Sequence, residues 1–245
     1  MEEKSEWFEK WFDSLYYHIL YKNRGNEEAE GFIRRLIQKL APPKNSLLLD
    51  AACGKGRHAI YLNKLGFKVD GFDLSQNSIK IAKIFETKTL NFYINDIRSP
   101  LNTNCYDIVF NLFTSFGYFE NNKDNQLAIN AISESLKANG MLILDFMNSN
   151  KTIDELSEIE IKMVNHIEFY IKKSFKEGFI IKDINFTDQN KKYYFQEKVR
   201  AISLEDFKIY FDNANLKIEN IFGDYSLNPY NMISSDRLIL LARKQ

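Results

Sequence analysis

The sequence predicts an α/β fold in which helices cover both faces of a parallel sheet. From residue 44 to residue 148, short apolar runs typical of buried strands alternate with segments of helical periodicity. A glycine turn at residues 54–56 joins the first apolar run to the first helical segment of this region. The composition agrees with a compact folded chain, because 44% of the residues are hydrophobic and only 10 are Gly and 4 are Pro.

Residues 1–43 are predicted to form an N-terminal helical cap. Four apolar residues recur at every fourth position and predict one continuous amphipathic helix: Trp7, Trp11, Leu15 and Ile19. A second apolar stripe from Ala29 to Leu40 predicts another helix, which Pro42 and Pro43 end. Residues 16–21 carry more aromatic side chains with polar tips than packing requires, so we expect this stretch to cover a ligand.

Residues 44–148 are predicted to form the ligand-binding core. The strands expected in this core are Leu47–Ala51, Lys68–Asp73, Leu90–Asn95, Tyr106–Leu112 and Met141–Met147. The helices expected between them are 56–65, 75–86 and 123–138.

The pattern of apolar and polar residues changes after Asn148. Alternating apolar and polar residues with intervening turns predict that residues 149–200 form an inserted antiparallel β lid. Residues 201–245 are expected to complete the core sheet, with a helix near 203–215 followed by strands near 217–222 and 237–243.

Composition disfavours several classes of partner. Basic and acidic residues are equal at 33 each, so no excess positive field attracts nucleic acid. The 2 cysteines and 3 histidines lack metal-ligand spacing, and we therefore expect no metal. The acidic start of the chain is unlike a signal peptide, and no apolar run is long enough to span a membrane. We expect a cytoplasmic protein, and the sequence leaves its oligomeric state open.

Carboxylates are predicted at three neighbouring strand ends. Asp50, Asp73 and Asp96 end the first three strands, and the fourth leads into the loop 111–118. Open α/β sheets bind ligands at the carboxyl ends of their strands. Three acceptors at that edge favour a cationic or zwitterionic ligand, because Asp50 would repel a pyrophosphate.

The glycine turn by itself leaves another class of ligand open. Gly54, Gly56 and Ala59 satisfy G-x-G-x-x-A, a variant of the dinucleotide-binding fingerprint. With Asp73 on a ribose, this pattern allows a nicotinamide-dependent oxidoreductase. The position of Asp50 and the absence of a recognisable catalytic Tyr-x-x-x-Lys or His-carboxylate constellation disfavour that alternative.

Five motifs in order resemble those of class I S-adenosylmethionine-dependent methyltransferases. They are L-L-L-D-A-A-C-G-K-G, V-D-G-F-D-L-S, Y-I-N-D-I, Y-D-I-V-F-N-L and L-K-A-N-G-M-L-I-L-D-F, within residues 45–148. The resemblance implies a Rossmann-like doubly wound sheet of seven strands, the last one antiparallel, with the β insertion and the N-terminal helices added to it. G-K-G-R-H together with F-T-S-F-G-Y-F is similar to a bacterial branch of this family that consists largely of small-molecule or functionally unassigned methyltransferases.

The resemblance also implies roles for individual residues. S-adenosylmethionine, and S-adenosylhomocysteine after transfer, are expected to contact Asp50, Ala51, Cys53, Gly54, Gly56, Asp73, Leu74, Asp96, Ile97 and Asn111. Residues expected to position the acceptor are His18, Asn111, Thr114 and Tyr118. Residues expected to bind the acceptor are Tyr17, Tyr21, Ser115 and Phe116.

The expected reaction is in-line transfer of a methyl group to an oxygen or nitrogen atom of a small molecule. Such a displacement requires alignment and exclusion of water more than a dedicated base. The fourth strand ends in Asn111-Leu112-Phe113 and lacks the Asn/Asp-Pro-Pro-aromatic signature of enzymes that methylate nucleic-acid bases. A protein that binds S-adenosylmethionine but only scaffolds a partner remains an alternative.

Overall fold

The computed structural model describes residues 6–22, 26–157 and 159–245. The helices within those ranges are α1 Trp7–Phe12, α2 Leu15–Leu20, α3 Asn26–Leu40, α4 Arg57–Lys64, α5 Gln76–Ala82, α6 Asn122–Ser135, α7 Ser149–Asp154 and α8 Leu204–Asn213. The strands are β1 Leu47–Ala51, β2 Lys68–Asp73, β3 Leu90–Ile94, β4 Tyr106–Asn111, β5 Leu136–Met147, β6 Ile159–Val164, β7 Ile167–Lys176, β8 Phe179–Asp188, β9 Lys191–Arg200, β10 Leu216–Phe222 and β11 Arg237–Lys244.

The main sheet has the strand order β3-β2-β1-β4-β5-β11-β10. The strands from β3 to β5 pair in parallel, whereas β11 is antiparallel to both of its neighbours. The order reverses between β1 and β4, which creates the switch point where open α/β sheets bind ligands. The predicted fold, a doubly wound sheet of seven strands with the last one antiparallel, is confirmed.

Two apolar layers cover the faces of this sheet. Leu48 packs into the layer that contains α3, α4 and α5, and its neighbour Leu49 packs into the layer that contains α6 and α8. Successive side chains of a strand point to opposite faces, so a strand buried on both sides is apolar at nearly every position. The buried Asp50 is the exception in β1, and it stands where the strand reaches the ligand edge.

A second, antiparallel sheet has the order β6-β7-β8-β9. Asn165 and His166, both with positive φ, form the two-residue turn between β6 and β7. The inner face of the sheet packs Phe169, Ile184 and Phe186 against α1 and α2. The antiparallel insertion is thus present, whereas its role as a lid and its limits at 149 and 200 stay predictions.

The N-terminal segment differs from the single helix that its periodicity predicts. Asp13 and Ser14 separate α1 from α2, and the extended Ser14 accepts a hydrogen bond from the backbone N–H of Tyr17. Leu15, expected in the core, is 69% exposed. Asp13 instead accepts hydrogen bonds from the Ser75 hydroxyl at 2.5 Å and from the backbone N–H of Asn77 at 3.0 Å. An N-cap and a tertiary contact therefore override the apolar repeat.

The helix predicted over 123–138 also ends earlier than expected. It stops at Ser135, and Leu136 already pairs with Tyr106 of β4. The pairing then resumes with Ile108 opposite Met141, so the expected helix stop at Asn139-Gly140 lies in an irregularity of the strand.

Candidate functional site

A cavity of about 400 Å³ lies at the switch point of the main sheet. Its walls come from the loops that follow β1, β2, β3 and β4, and α1 and α2 cover it. Eleven of the residues predicted to form the site line it: Tyr17, His18, Tyr21, Cys53, Gly54, Asp73, Leu74, Asp96, Ile97, Ser115 and Tyr118. We call this space the first cavity.

The two glycines of the first loop have different functions. Both have left-handed φ values, 55° for Gly54 and 81° for Gly56. A Cβ on Gly54 would meet nothing within 4 Å, so its backbone borders open space in the first cavity. A Cβ on Gly56 would lie 2.5 Å from the ring of Phe92. Gly56 therefore allows the loop to pack on β3 and does not line the cavity.

Asp50 lies beneath the N-terminal turn of α4. Its Oδ2 accepts a hydrogen bond from the Ala59 amide at 3.1 Å and is 4.0 Å from Nδ1 of His58. Burial raises the pKa of Asp50 to about 7 and lowers the pKa of His58 to about 3, so the two do not form an ion pair near neutral pH. Asp50 therefore stabilises the first turn of α4. Its contact with the donor stays a prediction.

Asp73 braces the glycine loop from the end of β2. Its Oδ2 accepts from the Gly54 amide at 2.8 Å, and its Oδ1 accepts from the Ser75 amide at 2.9 Å. Burial raises the pKa of Asp73, and these two amides oppose the shift. Each carboxylate oxygen has a second acceptor position, which suits the hydroxyl groups of a ribose.

Asp96 lines the first cavity just after β3 and is fixed by a neighbouring guanidinium. Its Oδ2 lies 2.6 Å from Nη2 of Arg98, which also lies 2.8 Å from Oε2 of Glu6. Burial would raise the pKa of Asp96, but its hydrogen bonds with Arg98 hold it below the usual value. Asp96 therefore remains an ionised acceptor at the edge of the cavity.

His18 faces the first cavity from α2. Its Nε2 is buried and has no hydrogen-bond partner among the residues that the structure describes. Burial, with a smaller contribution from the charge of Lys55, lowers the pKa of His18 to about 4. The imidazole is therefore neutral near pH 7 and can accept or donate one hydrogen bond to a ligand.

The loop after β4 is held in an uncommon conformation by a buried ion pair. Phe113 and Thr114 both have φ of 59°. The fully buried Asp145 accepts from the Phe113 amide at 2.8 Å, and its other oxygen lies 2.8 Å from Nε of Arg237. Arg237 also donates to Oγ1 of Thr114 at 2.9 Å, and Tyr118 donates its hydroxyl proton to the Thr114 carbonyl. Strained backbone of this kind concentrates at functional sites.

Three further predicted site residues are internal, and like Asp50 and Gly56 they line neither cavity. The fully buried Asn111 donates to the carbonyls of Ala51 and Ser115, both at 3.1 Å, and so joins β1 to the loop after β4. Phe116 packs on Phe207, with ring centroids 5.8 Å apart. The structure brings neither Asn111, Ala51 nor Phe116 to a cavity lining, because all three are buried in the core.

A second cavity of about 520 Å³ lies beside the first. The two share an aromatic wall, which consists of Phe12, Tyr17, Tyr21, Phe113 and Tyr118. The second cavity extends to the inner face of the second sheet, and the predicted residue Thr114 lines it. Its charged lining residues are Glu28, Glu155, Lys173, Lys182, Glu197, Asp236 and Arg237.

A buried carboxylate joins α1 and α2 to the second sheet. Oε1 of Glu197 accepts from Nε1 of Trp11 at 2.8 Å and from the hydroxyl of Tyr21 at 2.6 Å. Its Oε2 lies 3.1 Å from Nζ of Lys182. Burial would raise the pKa of Glu197, but Lys182 and these hydrogen bonds lower it overall. Glu197 thus remains ionised and fixes the direction of the Tyr21 hydroxyl.

Three residues that shape the cavities were not predicted from the sequence: Asp145, Glu197 and Arg237. Asp145 had a usable signal, because it interrupts an apolar run that ends in Leu-Ile-Leu-Asp-Phe. Glu197 alternates with Phe195 and Val199, which indicates the inner face of its strand. Arg237 had no local signal, because its partners lie 92 and 123 residues away in the chain.

The described residues contain neither a metal-binding cluster nor a membrane-spanning helix. Those residues contain no group of three or more His, Cys, Asp and Glu side chains arranged to hold a metal ion. They also contain no helix with the length and apolar composition needed to cross a membrane. The expected absence of a metal stays a prediction.

A family model for a methyltransferase domain matches residues 43–200, more than half of the chain. The chain belongs to this methyltransferase-domain family. The match extends from just before β1 to the end of β9, so it includes the glycine loop and the whole second sheet.

The methyltransferase is similar in sequence to curated proteins. Its alignment with a putative methyltransferase, YqeM of Bacillus subtilis (strain 168), spans 212 residues at 26% identity. The alignment covers 82% of this chain and 85% of that protein. It is 31% identical over 154 residues to the glycine/sarcosine N-methyltransferase of Aphanothece halophytica, but this match covers 60% of this chain and 54% of that protein. The chain therefore spans about half the length of the second relative.

A solved structure has the same fold. The structure of an S-adenosylmethionine-dependent methyltransferase from Clostridium acetobutylicum ATCC 824 superposes with a TM-score of 0.79 and 21% identity, over 94% of this chain and 96% of that chain. The family model confirms the predicted methyltransferase, and this superposition confirms the predicted class I fold.

Proposed function

We propose that this methyltransferase binds S-adenosylmethionine in the first cavity and transfers its methyl group to the amine nitrogen of a small polar molecule in the second cavity. One observation carries the proposal: the two cavities share the aromatic wall. A donor in one cavity and an acceptor in the other would meet at that wall.

The lining of the first cavity suits an adenosyl sulfonium donor. Asp73 offers acceptors for the ribose hydroxyls, Asp96 offers an acceptor for the adenine amine, and Gly54 leaves room for the methionine portion. The rings of Tyr17 and Tyr118 provide π faces on which a sulfonium cation is stabilised. The donor supplies an electrophilic methyl group, and the remaining tasks belong to the protein.

The lining of the second cavity suits a polar acceptor. Within the described residues, four carboxylates and three basic side chains line it, which disfavours a purely apolar molecule. Because Tyr21 donates its proton to Glu197, its oxygen acts as an acceptor, as it does for Nζ of Lys182 at 3.4 Å. An N–H group of the acceptor can bind that oxygen, which would hold the nitrogen beside the shared wall. The relative that methylates glycine and sarcosine on nitrogen supports an amine.

The protein's part in the transfer is alignment. We propose that Tyr17, Tyr21 and Tyr118 enclose the transfer point and exclude water, and that Thr114, held by Arg237, orients the acceptor. An amine that arrives neutral needs no protein base. We propose that His18, predicted from the sequence to position the acceptor, contacts the donor instead, because it lines the first cavity and does not line the second.

Calorimetric titration with S-adenosylmethionine, S-adenosylhomocysteine and NAD tests the donor. We expect binding of the two adenosyl ligands, and an affinity about 10- to 100-fold lower in Asp73→Asn, because charge-assisted hydrogen bonds are lost. Asp212→Asn, on the exposed face of α8, is the control and should bind like the native protein.

The remaining outcomes distinguish the alternatives. Binding of NAD in place of the adenosyl ligands would support an oxidoreductase. Binding of S-adenosylmethionine without turnover on a panel of amines, amino acids and amino sugars would support a scaffold. Turnover on a phenol or a carboxylate alone would retain the donor and contradict the amine.

A further inference from the structure

The second sheet has an uncovered edge. Strand β6 pairs with β7 on one side, and no strand of the described chain pairs with its other side. It is six residues long, contains no proline and pairs with β7 without a register shift. Natural proteins usually protect an edge strand with proline, a bulge, charged side chains or a covering element, because its free N–H and C=O groups can pair with another chain; of these, β6 has charged side chains.

The side chains of β6 alternate between apolar and charged. Ile159, Ile161 and Met163 are exposed on the outer face, and Ile161 is 60% exposed. Glu160 and Lys162 lie on the inner face, where their charged ends are 2.8 Å apart. The strand therefore has an apolar residue at its centre, opposite charges on either side of it, and apolar residues beyond them.

We propose that β6 is the interface with a second copy of this chain. In this dimer, two β6 strands pair antiparallel about a two-fold axis at Ile161, and the two second sheets become one continuous sheet. Ile161 then lies opposite the partner's Ile161, and Ile159 lies opposite the partner's Met163. An interface of this kind uses the same surface on both subunits, as two-fold symmetry requires.

Charge fixes this register. An axis at Ile161 places Glu160 opposite the partner's Lys162, on both sides of the axis. An axis at Glu160 would place two carboxylates opposite each other, and an axis at Lys162 would place two ammonium groups opposite each other. Like charges directly opposite each other destabilise a strand pair. A slip by one residue would place the apolar face of one sheet beside the charged face of the other.

The charge pattern is also what favours a second copy over a different partner. A strand that carries an acid and a base equidistant from its centre is complementary to itself only when it is antiparallel. A single strand pair buries little area compared with a stable interface. We therefore expect a dimer whose dissociation constant is on the order of micromolar.

Sedimentation velocity on the full chain, from about 1 to about 100 µM, tests the interface. We expect dimers to increase with concentration in the native protein and to be absent in Ile161→Lys, which places two cations opposite each other. Ile209→Lys is the matched control, because Ile209 on α8 is also 60% exposed. Circular dichroism should show that both variants remain folded. A native protein that is monomeric throughout this range, or equal dimerisation of both variants, would overturn the proposal.

Cysteine cross-linking tests the register in a Cys105→Ser background. Opposite Cα atoms of antiparallel strands lie about 4.5–5.5 Å apart, within reach of a disulfide. Ile161→Cys should therefore form a covalent dimer under mild oxidation. Ile159→Cys should not, because its two copies would be four residues out of register, about 13 Å apart. Cross-linking of Ile159→Cys, or of neither variant, would overturn the register and with it the proposed dimer.

Discussion

The first and second cavities share one wall but are assembled over very different distances in the chain. Around the first cavity, Asp73 binds the Gly54 amide 19 residues away, and Asp50 binds the Ala59 amide 9 residues away. Around the second, Glu197 binds Tyr21 across 176 residues, and Arg237 binds Thr114 across 123 residues. Backbone geometry after each strand forms the side of the first cavity opposite α1 and α2, whereas long-range side-chain contacts form the second cavity.

The comparison indicates which properties can change independently. The first cavity depends on a turn and on strand ends, so we expect donor binding to tolerate changes in the second sheet. The second cavity depends on a few buried charges, so a single substitution can alter its shape. Loops that vary on a constant sheet allow one fold to serve many acceptors.

Substitution of Asp145 should have the largest effect. Asp145→Ala removes the buried partner of Arg237 and the acceptor of the Phe113 amide, and we expect a loss of about 3–5 kcal/mol in the free energy of unfolding. Urea denaturation measures this loss. Asp154→Ala, on the exposed face of α7, is the control and should change the free energy by less than about 0.5 kcal/mol. A loss at Asp145 no larger than the control would contradict the ion pair's role in holding the loop.

Substitution of Glu197 should weaken acceptor binding in the second cavity and leave donor binding in the first cavity nearly unchanged. Glu197→Ala leaves the Tyr21 and Trp11 donors and the Lys182 cation without their acceptor, and we expect a loss of about 1–3 kcal/mol in the free energy of unfolding. Affinity for S-adenosylhomocysteine should change by less than about threefold, whereas KM for the acceptor should rise.

Asp188→Ala is the matched control for that change. Asp188 accepts the hydroxyl of Tyr16 at 2.9 Å and also joins α2 to the second sheet, but it lies outside the lining of both cavities. It should leave the KM for the acceptor unchanged. If the two variants changed KM equally, Glu197 would have no special place at the shared wall.

The buried His58 should make the stability of the protein depend on pH. Burial lowers the pKa of His58 to about 3, whereas an imidazole in the unfolded chain titrates near 6.5. The unfolded chain therefore binds more protons at His58 in this interval, and the contribution of His58 to stability falls as the pH decreases through it, by up to about 1.4 kcal/mol per pH unit. His58→Phe, which keeps a ring on Phe113, should remove this contribution and leave the opposite one of Asp50, whose pKa is raised.

Unfolding free energies at pH 7 and pH 5 measure that slope. His166→Asn is the control, because His166 is exposed in the turn between β6 and β7 and asparagine tolerates its positive φ. The same slope in native protein and His58→Phe would contradict a neutral, buried His58.

The smallest effect is expected at the break between α1 and α2. Ser14→Ala removes the N-cap of α2 and should cost about 1 kcal/mol. The change in melting temperature measures it, with the exposed Ser226→Ala as control. An unchanged melting temperature would indicate that the contact of Asp13 with Ser75 and Asn77 is sufficient to end α1.

Sequence patterns predicted the main sheet closely. The bounds Leu47–Ala51 and Lys68–Asp73 agree with β1 and β2, and Ser203 and Asp206 form the capping box of α8. These features depend on residues close in the chain, whose strand period and capping geometry are local. The predictions for Leu15, which is exposed, and for Phe116, which is internal, depended on contacts between distant elements.

The sequence alone determined the α/β class, the glycine loop and the carboxylates at the strand ends, because apolar periodicity and turn chemistry act within a few residues. Only the tertiary structure decided that Gly56 packs on Phe92, that Asp145 and Arg237 hold the loop after β4, and that Glu197 joins the second sheet to Tyr21. Those contacts join segments that are far apart in the chain. Their energy comes from the burial of paired charges and from the close packing of side chains. No local pattern encodes which distant residue will supply the partner.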